Sequence, residues 1–517
     1  MSPATGDAMP TPDSLDASRA LVHALRGVLS REAGAVELIE THISWVLLAG
    51  PYAYKIKKPV RLSFLDFGTL AARRHFCEEE LRLNRRFAPQ LYLGVVAIGG
   101  DAQEPRLGGA GEPIEYAVKM HRMRDEDLAG ARVALGALGA AELERFAARL
   151  AAWHDESPAA PADGMYGTPQ RVAADIDQAL AAWPGSDDAE AVADLRAWFD
   201  AQAADTARQV AQRLAEGRVR ECHGDLHVDN LAVVNGELIA FDCLEFDPAL
   251  RWIDTTSEVA FLAMDLQARE RHSLAHAFVD AYLAASGDFA ALPLLRRYKV
   301  YRAVVRARVT RLREVNSTSP ARAAVAAGYL ALAQWLARQW DPRLLVTHGL
   351  PGSGKTWVSQ GLLQATGAIR LRSDVERARL LGRGHYQAGD SAEVYARLLA
   401  LAQASLQSGY PTVVDAAFLQ RTQRDAFRAL AARLRVPFAV LHCTAAPEVL
   451  RQRVRERTLR GGDASEADET VLALLARQQE PLHSDEAATT LQVDTARPLS
   501  SASLAAAWLA VPRIEAT

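Results

Sequence analysis

Short apolar runs separated by turns dominate the first 120 residues. Three such runs between residues 36 and 60, rich in β-branched and aromatic residues, predict a small antiparallel sheet. A helical pattern follows over residues 70–87, and apolar runs at 92–98 and 114–120 indicate two further strands. This part of the chain is therefore predicted to combine an antiparallel sheet with a helix.

The pattern then changes to a helical period. Residues 138–215 are rich in alanine, and helices are predicted again up to Trp340, with a break at 317–320. Two short strands joined by a loop flank residues 222–242 between these helices. We expect a mainly helical region that carries one small β insertion.

Alternation of strands and helices begins after Asp341-Pro342, because proline restricts the residue before it and stops the preceding helix. We therefore place a domain boundary between residues 340 and 341 and predict an α/β domain at 341–517. Strand–helix alternation of this kind is typical of a parallel sheet covered by helices. The predicted strands lie near residues 344–348, 368–371, 411–415, 438–443 and 491–494.

Composition sets limits on the function. A chain of 517 residues is too long for one core, and its length suggests two to four domains. The formal net charge of −4 gives no electrostatic footprint for duplex nucleic acid or an anionic membrane.

The scattered cysteines suit a reducing cytosol, and no apolar run is long enough to span a bilayer. We expect a cytoplasmic protein whose residues 1–15 form a disordered tail.

A glycine-rich motif follows the first strand of the α/β region. It reads Gly-Leu-Pro-Gly-Ser-Gly-Lys-Thr, which is G-x-x-x-x-G-K-[ST] between a strand and a helix. The glycines allow a tight turn whose N–H groups point at phosphate oxygens, Lys355 supplies a cation, and the Thr356 hydroxyl can ligate Mg²⁺. The alternative is a glycine-rich turn before an ordinary helix. We predict an ATP site with Mg²⁺ formed by Gly349, Gly352, Ser353, Gly354, Lys355 and Thr356.

A second set of candidate residues lies between the two short strands of the helical region. Residues 222–230 read Cys-His-Gly-Asp-Leu-His-Val-Asp-Asn, and a strand ends at Asp242 a dozen residues later. Phosphoryl transfer needs one carboxylate for the proton of the acceptor hydroxyl, and an amide and a second carboxylate for Mg²⁺. Asp225, Asn230 and Asp242 supply these groups in that order. The alternative is a polar turn whose side chains satisfy backbone donors.

This order resembles the catalytic segment of the aminoglycoside phosphotransferase and choline kinase-like family, whose loop reads His-Gly-Asp-x-His-x-x-Asn. The resemblance implies that Asp225 is the catalytic base, that His223 braces the loop, and that Asn230 and Asp242 ligate Mg²⁺. It also implies that Asp254 buttresses the loop from the following helix.

The same resemblance, which covers roughly residues 35–310, implies a fold. We expect residues 16–340 to form an α+β, protein-kinase-like domain of two lobes, with an N-lobe at about 16–118 and a helical C-lobe at about 119–340. The whole chain also resembles bacterial proteins in which a phosphotransferase is fused to an AAA-type ATP-binding domain.

An N-lobe of this kind carries a strand lysine for the phosphates and a helix carboxylate that holds the lysine. Lys55 and Lys57 share one face of a strand, and Lys55 fits the role better because it lies in mid-strand. Glu79 is our first choice for the carboxylate, and Glu80 is the next. The alternative is that all of these are solvated surface charges. The turn at 40–44 lacks the glycines with which protein kinases cover the phosphates.

Further charged residues surround the glycine-rich motif. Arg372 and Asp374 follow the second strand, where ligands collect on a parallel sheet. Asp415 ends the third strand and is of the type that orients Mg²⁺. Arg453 and Arg457 lie in an arginine-rich helix and can neutralise charge on a transferred phosphoryl group.

This set is similar to the small P-loop kinases that include gluconate kinase, zeta toxin and the phosphotransfer domain of polynucleotide kinase. The similarity implies that Asp374 orients or deprotonates the acceptor hydroxyl, that Arg372 helps to bind the acceptor, and that Arg453 and Arg457 form a lid with the polar loop 461–465. The alternatives are a helix N-cap for Asp374 and a solvated helix face for the arginines.

Together the motifs predict a bifunctional kinase. Each domain is expected to transfer the γ-phosphoryl group of ATP, with Mg²⁺, to a hydroxyl of a small molecule such as a sugar or aminosugar. Two alternatives stay open. One domain could bind ATP as a regulatory module without transfer, or the P-loop domain could phosphorylate 5′-hydroxyl ends of nucleic acid. The overall acidity argues against a nucleic-acid partner, and neither the acceptors nor the oligomeric state follows from the sequence.

Overall fold

A computed structural model describes residues 14–513, apart from 63–64, 109–110, 162–163, 182, 184–187, 316–319, 383–387 and 461–466. Three predicted features therefore lie wholly or almost wholly outside the described residues: the tail at 1–15, the helix break at 317–320 and the polar loop at 461–465. None of the helices within the described ranges combines the length and apolar content needed to cross a bilayer.

Packing divides the described chain into two compact units that are not contiguous in sequence. The first unit contains Met1–Leu138, Trp153–Val172 and Val210–Glu258. The second unit contains Gly139–Ala152, Ala173–Gln209 and Val259–Thr517. The domain boundary predicted between residues 340 and 341 stays a prediction, since these units divide the chain at other positions.

The N-terminal part of the first unit combines an antiparallel sheet with helices, as the pattern predicted. Its elements are α1 (Leu15–Ala33), β1 (Val36–Glu40), β2 (Ser44–Ala49), β3 (Tyr52–Lys57), β4 (Arg61–Leu62), β5 (Leu65–Asp66), α2 (Leu70–Asn84), β6 (Tyr92–Gly100), β7 (Pro105–Leu107), β8 (Glu115–His121) and α3 (Ala129–Ala134). Of the described strands, six form one antiparallel sheet in the order β1-β2-β3-β8-β6-β7.

Strand β3 lies inside this sheet and serves both of its faces. Tyr54 and Ile56 pack into one apolar cluster with side chains of α1, and Ala53 packs into another with Cys77 of α2. Because side chains alternate along a strand, Lys55 and Lys57 lie on the same face as Ala53, toward α2. The sheet thus directs both lysines at one helix.

The middle of the chain is helical, with short strands around the candidate catalytic segment. Its elements are α4 (Ala140–Glu156), α5 (Pro169–Leu180), α6 (Ala189–Asp200), α7 (Ala203–Ala215), β9 (Val219–Glu221), β10 (Leu231–Val234), β11 (Glu237–Ala240), α8 (Pro248–Arg251) and β12 (Trp252–Asp254). Strands β10 and β11 form a hairpin, whose turn residues Asn235 and Gly236 both have positive φ, as a type I′ turn requires. Strand β9 pairs with β12.

Long helices precede the α/β region. They are α9 (Thr255–Ala268), α10 (His272–Ser286), α11 (Leu292–Val315) and α12 (Pro320–Arg338). The apolar faces of α9, α11 and α12, together with those of α5 and α6, close a core within the second unit that includes Leu195, Met264, Val304 and Leu330. The antiparallel sheet followed by this helical region agrees with the predicted α+β class.

The C-terminal region has the predicted α/β fold with a parallel sheet. Its elements are β13 (Leu344–His348), α13 (Lys355–Thr366), β14 (Ile369–Arg372), α14 (Ser373–Leu381), α15 (Ala388–Gln407), β15 (Thr412–Asp415), α16 (Arg421–Leu434), β16 (Phe438–Thr444), α17 (Pro447–Arg460), α18 (Glu469–Gln478), β17 (Thr490–Asp494) and α19 (Ser501–Leu509). Five of the described strands pair in the parallel order β14-β15-β13-β16-β17.

Candidate active sites

The β10–β11 hairpin brings the residues of the first site together. Asn230 immediately precedes β10, and the backbone N–H of Phe241, just after β11, donates to the Asn230 carbonyl oxygen at 3.0 Å. The Asn230 side-chain amide in turn donates to the Asp225 carbonyl oxygen (2.9 Å) and to Asp225 Oδ2 (3.1 Å). The open end of the hairpin, opposite its turn, therefore positions Asp225, Asn230 and the segment that leads into Asp242.

Asp242 has a left-handed backbone conformation, with φ of 62°. Aspartate tolerates this region better than most residues, and the conformation directs the chain sharply away from β11. Its N–H donates to the Tyr92 hydroxyl at 3.1 Å, while its carboxylate, 47% exposed, forms an ion pair with Lys55 at 2.5 Å. The backbone of Asp242 is thus held by Tyr92, while its carboxylate stays accessible to solvent.

The strand lysine binds a different glutamate from the one we favoured. Lys55 Nζ lies 2.9 Å from Glu80 Oε1, whereas Glu79 pairs with Arg82 on the outside of α2. The predicted pairing of Lys55 with Glu79 is wrong, and the second choice, Glu80, is the partner. The reason is the rotation of α2, which turns Glu80 into the sheet and leaves its neighbour in sequence beside an arginine.

Lys57 forms a second ion pair with Glu80 and is fully buried. Its Nζ lies 2.8 Å from Glu80 Oε2 and also contacts Glu245 Oε1. Although burial opposes charge, Asp242 and the two glutamates raise the pKa of Lys55 well above its usual value. Burial likewise opposes ionisation of Glu80, but Lys55 and Lys57 outweigh it and lower the Glu80 pKa to about 2. Both members of the Lys55–Glu80 pair are therefore charged.

The histidine of the loop acts as a brace. His223 Nε2 lies 2.9 Å from the Phe241 carbonyl oxygen, and its ring packs edge-on against Phe87 with centroids 5.4 Å apart. Burial lowers the pKa of His223, so the ring is neutral at pH 7 and can donate to that carbonyl. This contact ties the start of the loop to the end of β11, in agreement with a bracing role.

The loop is held from α9 by a glutamate that the sequence did not single out. The Gly224 N–H donates to Glu258 Oε1 at 2.7 Å, and Glu258 Oε2 lies 2.8 Å from His154 Nε2. Asp254, expected in this role, instead accepts from Arg213 at 2.6 and 2.8 Å in a buried pair. The prediction for Asp254 is wrong, because β12 ends at that residue and Glu258 is the carboxylate in the first turn of α9.

The glycine-rich motif forms a tight loop between β13 and α13. Gly352 and Gly354 have φ of 81° and 84°. A Cβ on Gly352 would lie 2.7 Å from the Leu450 carbonyl oxygen, so this position excludes a side chain. Lys355 Nζ donates to the carbonyl oxygens of Gly349 and Leu350, each at 2.9 Å. The loop therefore has the conformation expected of a phosphate-binding P-loop.

Two observations show that the loop suits an anion. Burial lowers the pKa of Lys355, and the nearby carboxylates of Asp415 and Asp374 offset this effect only in part. The Ser353 hydroxyl is buried and has no hydrogen-bond partner in the described part of the chain. A phosphate group would pair with the lysine and the loop N–H groups at once.

Parallel strand pairing places the Asp415 carboxylate beside the helix that begins in the P-loop. Asp415 ends β15 next to Arg372 of β14, and it accepts from Ser359 of α13 at 3.2 Å. Arg372 Nε lies 3.9 Å from the same Asp415 oxygen. The predicted magnesium-side residue thus lies at the carboxyl end of the sheet, together with the start of α13.

A cavity of about 1310 Å³ opens over the P-loop. Asp374 lies in the first turn of α14, whose N-cap is Arg372, so the N-cap alternative for Asp374 is wrong. Sequence reasoning missed Arg377, Tyr395 and Gln423, which line the same cavity from α14, α15 and α16. The predicted site residues that line it are Gly352, Gly354, Lys355, Thr356, Asp374, Asp415, Arg453 and Arg457.

The arginines of α17 divide between two environments. Arg453 donates to the Gly352 carbonyl oxygen at 3.2 Å and to Thr495 Oγ1 at 2.7 Å, and Arg457 donates to the Ala467 carbonyl oxygen at 2.7 Å. Arg451 and Arg455 instead pair with glutamates on the exposed side of the helix. The solvated-face alternative therefore applies to Arg451 and Arg455, whereas Arg453 and Arg457 line the cavity.

The first arrangement combines the Asp225–Asn230 loop with a cluster of lysines and carboxylates, and the second combines a P-loop with a cavity lined by charged side chains. Residues 344–482 match the AAA domain family AAA_33. Two relatives, the uncharacterized proteins Rv2004c of Mycobacterium tuberculosis (strain H37Rv) and Mb2027c of Mycobacterium bovis, are each 32% identical to this chain over 459 residues. The alignment covers 86% of this chain and 90% of each relative. The chain belongs to the family of these mycobacterial proteins.

Solved structures with similar folds align with separate parts of the chain. A choline kinase from Cryptosporidium parvum covers 61% of this chain and 95% of its own, at 10% identity and a TM-score of 0.40. A gluconokinase from Sinorhizobium meliloti covers 33% of this chain and 90% of its own, at 24% identity and a TM-score of 0.26.

Proposed function

We propose that this chain is a bifunctional ATP-dependent phosphotransferase that transfers γ-phosphoryl groups to hydroxyls of small molecules at two sites. One observation carries the proposal: each site combines a lysine suited to phosphate with a carboxylate suited to an acceptor proton, linked through Asp242 and Asn230 in the first site and lining one cavity in the second. These residues are Lys55 and Asp225 in the first site, and Lys355 and Asp374 in the second.

In the first site, Lys55 neutralises charge on the triphosphate while Glu80 holds the lysine in place. Asp225 accepts or orients the proton of the acceptor hydroxyl, and the amide of Asn230 fixes the orientation of its carboxylate. Asn230 and Asp242 would hold Mg²⁺. Their donor chemistry fits this ion, because Asn230 uses its NH₂ group toward Asp225, which leaves its amide oxygen for a metal, and the Asp242 carboxylate is 47% exposed.

In the second site, the P-loop N–H groups and Lys355 receive the phosphates, and Arg453 and Arg457 add positive charge from α17. Thr356 and Asp415 would hold Mg²⁺, since a hydroxyl and a carboxylate are the hard oxygen ligands that this ion prefers. When bound, Mg²⁺ in either site would neutralise charge that develops on the transferred group. Asp374 takes the proton of the acceptor hydroxyl, and Arg372 is the proposed contact to the acceptor.

The experiment uses the full chain in four forms: wild type, Asp225→Asn, Lys355→Met and the double variant. Each is incubated with Mg²⁺, radiolabelled ATP and a library of sugars, aminosugars and nucleosides, and both ADP release and labelled products are measured. Asp229→Asn, an exposed aspartate of the same loop, is the matched control for the first site.

We expect labelled products of two kinds, one lost in Asp225→Asn and the other in Lys355→Met, with losses of about 10²-fold or more. Product loss in one single variant alone would mean that the other site binds ATP without transfer, the regulatory alternative. Label on a 5′-hydroxyl oligonucleotide, lost in Lys355→Met, would replace the small-molecule acceptor of the second site by nucleic acid. Unchanged products in the double variant would overturn the proposal.

A further inference from the structure

Five side chains of alternating charge run through the first site. Glu245 contacts Lys57, Lys57 contacts Glu80, Glu80 contacts Lys55, and Lys55 contacts Asp242. The series starts at a buried glutamate three residues after Asp242 and returns to Asp242 itself. It therefore connects β3, α2 and the segment after β11 by ion pairs alone.

Within this series the two lysines use different oxygens of one carboxylate. Lys55 binds Glu80 Oε1 at 2.9 Å and Lys57 binds Glu80 Oε2 at 2.8 Å. A carboxylate held at both oxygens cannot rotate about its terminal bond without losing a charge-assisted contact. Lys57 therefore sets the direction in which Glu80 presents Oε1 to Lys55.

Lys57 is also a permanent counter-ion of buried carboxylates. It is fully buried, and its ammonium lies 5.0 Å from the centroid of the Phe67 ring. When Lys55 is shared between Glu80 and a phosphate, Lys57 is the second cation that keeps Glu80 ionised. Burial raises the pKa of Glu245, its further partner, so this carboxylate needs the same ammonium.

We propose that Lys57 is a positioning residue of the first site, which acts through Glu80 to hold Lys55 in its ATP-binding position, with Glu245 as its counter-ion. The proposal rests on the proposed function of that site. The presence of Lys57 is thus more than charge compensation for Glu245. A positioning role and a charge-compensating role of Lys57 predict different results when Lys57 and Glu245 are both replaced by neutral residues.

The test uses an acyl-phosphate derivative of ATP on the full chain. A lysine amine beside the phosphates attacks the acyl carbon, an amide bond forms, the acyl–oxygen bond breaks, and the nucleotide leaves with the bonding electrons. Mass spectrometry then measures acylation of Lys55 and of Lys355 separately, so the P-loop lysine is an internal control in every sample. The variants are Lys57→Met, Glu245→Gln, their combination, and Lys119→Met as a control on the neighbouring strand β8.

We expect Lys57→Met to reduce acylation of Lys55 about tenfold or more and to leave Lys355 unchanged. The combined variant is expected to recover the thermal stability lost in Lys57→Met, yet not the acylation of Lys55. Should Lys57→Met fail to fold, the combined variant, in which the charges balance again, carries the test alone.

Recovery of Lys55 acylation in the combined variant would overturn the proposal, because Lys57 would then only neutralise Glu245. Normal acylation of Lys55 in Lys57→Met would overturn it as well. A wild-type protein that acylates Lys355 but never Lys55 would contradict the ATP site itself, and so the proposed function of the first site.

Discussion

Arg370 forms a two-point ion pair with Asp280, with its Nε and a terminal nitrogen 3.3 and 2.7 Å from the two carboxylate oxygens. Its other terminal nitrogen donates to the carbonyl oxygen of Thr356 at 3.3 Å. Asp280 belongs to α10, and Thr356 is the proposed magnesium ligand of the P-loop. Within the second unit, one arginine therefore links a helix that lies upstream of the α/β region to the nucleotide site.

Removal of Arg370 should weaken both stability and nucleotide binding. Both side chains of the pair are largely buried, so Arg370→Met leaves the Asp280 carboxylate without its partner, at a cost of about 3–5 kcal/mol. Denaturant unfolding measures this loss, and acylation of Lys355 by the ATP probe measures the effect on the site. Arg196→Met, which breaks an exposed pair with Asp177, is the control and should cost under about 1 kcal/mol. Equal effects of the two variants would contradict the prediction.

The neighbouring glutamates of α2 offer a matched comparison. Glu80→Gln removes the carboxylate that holds Lys55, so turnover at the first site should fall about tenfold or more, measured in the Lys355→Met background. Glu79→Gln breaks a partly exposed pair with Arg82 and should leave turnover within about a factor of two. If the two variants behave alike, Glu80 does not position the lysine.

The arginines of α17 allow a similar comparison in the second site. Arg453→Met removes the contacts to Gly352 and Thr495 that fix the helix against the P-loop, and ATP affinity there should fall about tenfold. Arg451→Met, two residues earlier on the exposed side, should change affinity little. Titration with a non-hydrolysable ATP analogue measures both, in a Lys55→Met background that removes the phosphate-binding lysine of the first site. An unchanged affinity in Arg453→Met would remove this residue from the site.

Stability should depend on pH through His276. Burial lowers the pKa of His276 to about 4, and its Nδ1 lies 3.0 Å from the carbonyl oxygen of Gln364. The unfolded chain, with an ordinary histidine pKa near 6.5, therefore binds an extra proton between these values. The stabilising contribution is complete above about pH 6.5 and is lost as the pH falls, by about 1.4 kcal/mol per unit down to about pH 4.

Unfolding midpoints of wild type and His276→Gln between pH 4 and 7 test this expectation. The variant should show a shallower decline below about pH 6.5, while His42→Gln, which alters an exposed histidine, should follow the wild-type curve. Parallel curves for wild type and His276→Gln would contradict the assignment.

The sequence predicted those features that depend on local pattern. Each strand of the parallel sheet lies within a residue or two of its predicted position, because apolar runs and glycine turns are local signals. The loop that carries Asp225 and Asn230, and the P-loop, were predicted for the same reason, since their residues lie within ten positions of each other. Their catalytic roles stay predictions.

Features that depend on the packing of one element against another were missed. Glu79 and Glu80 differ by one step around α2, and only contact with the sheet decides which of them reaches Lys55. Glu258 and His154 are 104 positions apart, so no local pattern connects them. The choice of Asp254 failed for the same reason, because its burial against Arg213 depends on where α7 lies.

The second unit includes helices that precede the α/β region in sequence, and this has a consequence for expressing that region alone. Helix α10 packs on α13, the helix that begins in the P-loop: His276 contacts the Gln364 carbonyl oxygen of α13, and Asp280 pairs with Arg370 of β14. A chain that begins after Trp340 would lack α10 and would leave Arg370 and the α10-facing side of α13 exposed to solvent. We therefore expect that residues 341–517, expressed alone, form an aggregation-prone fragment and do not behave as an independent domain.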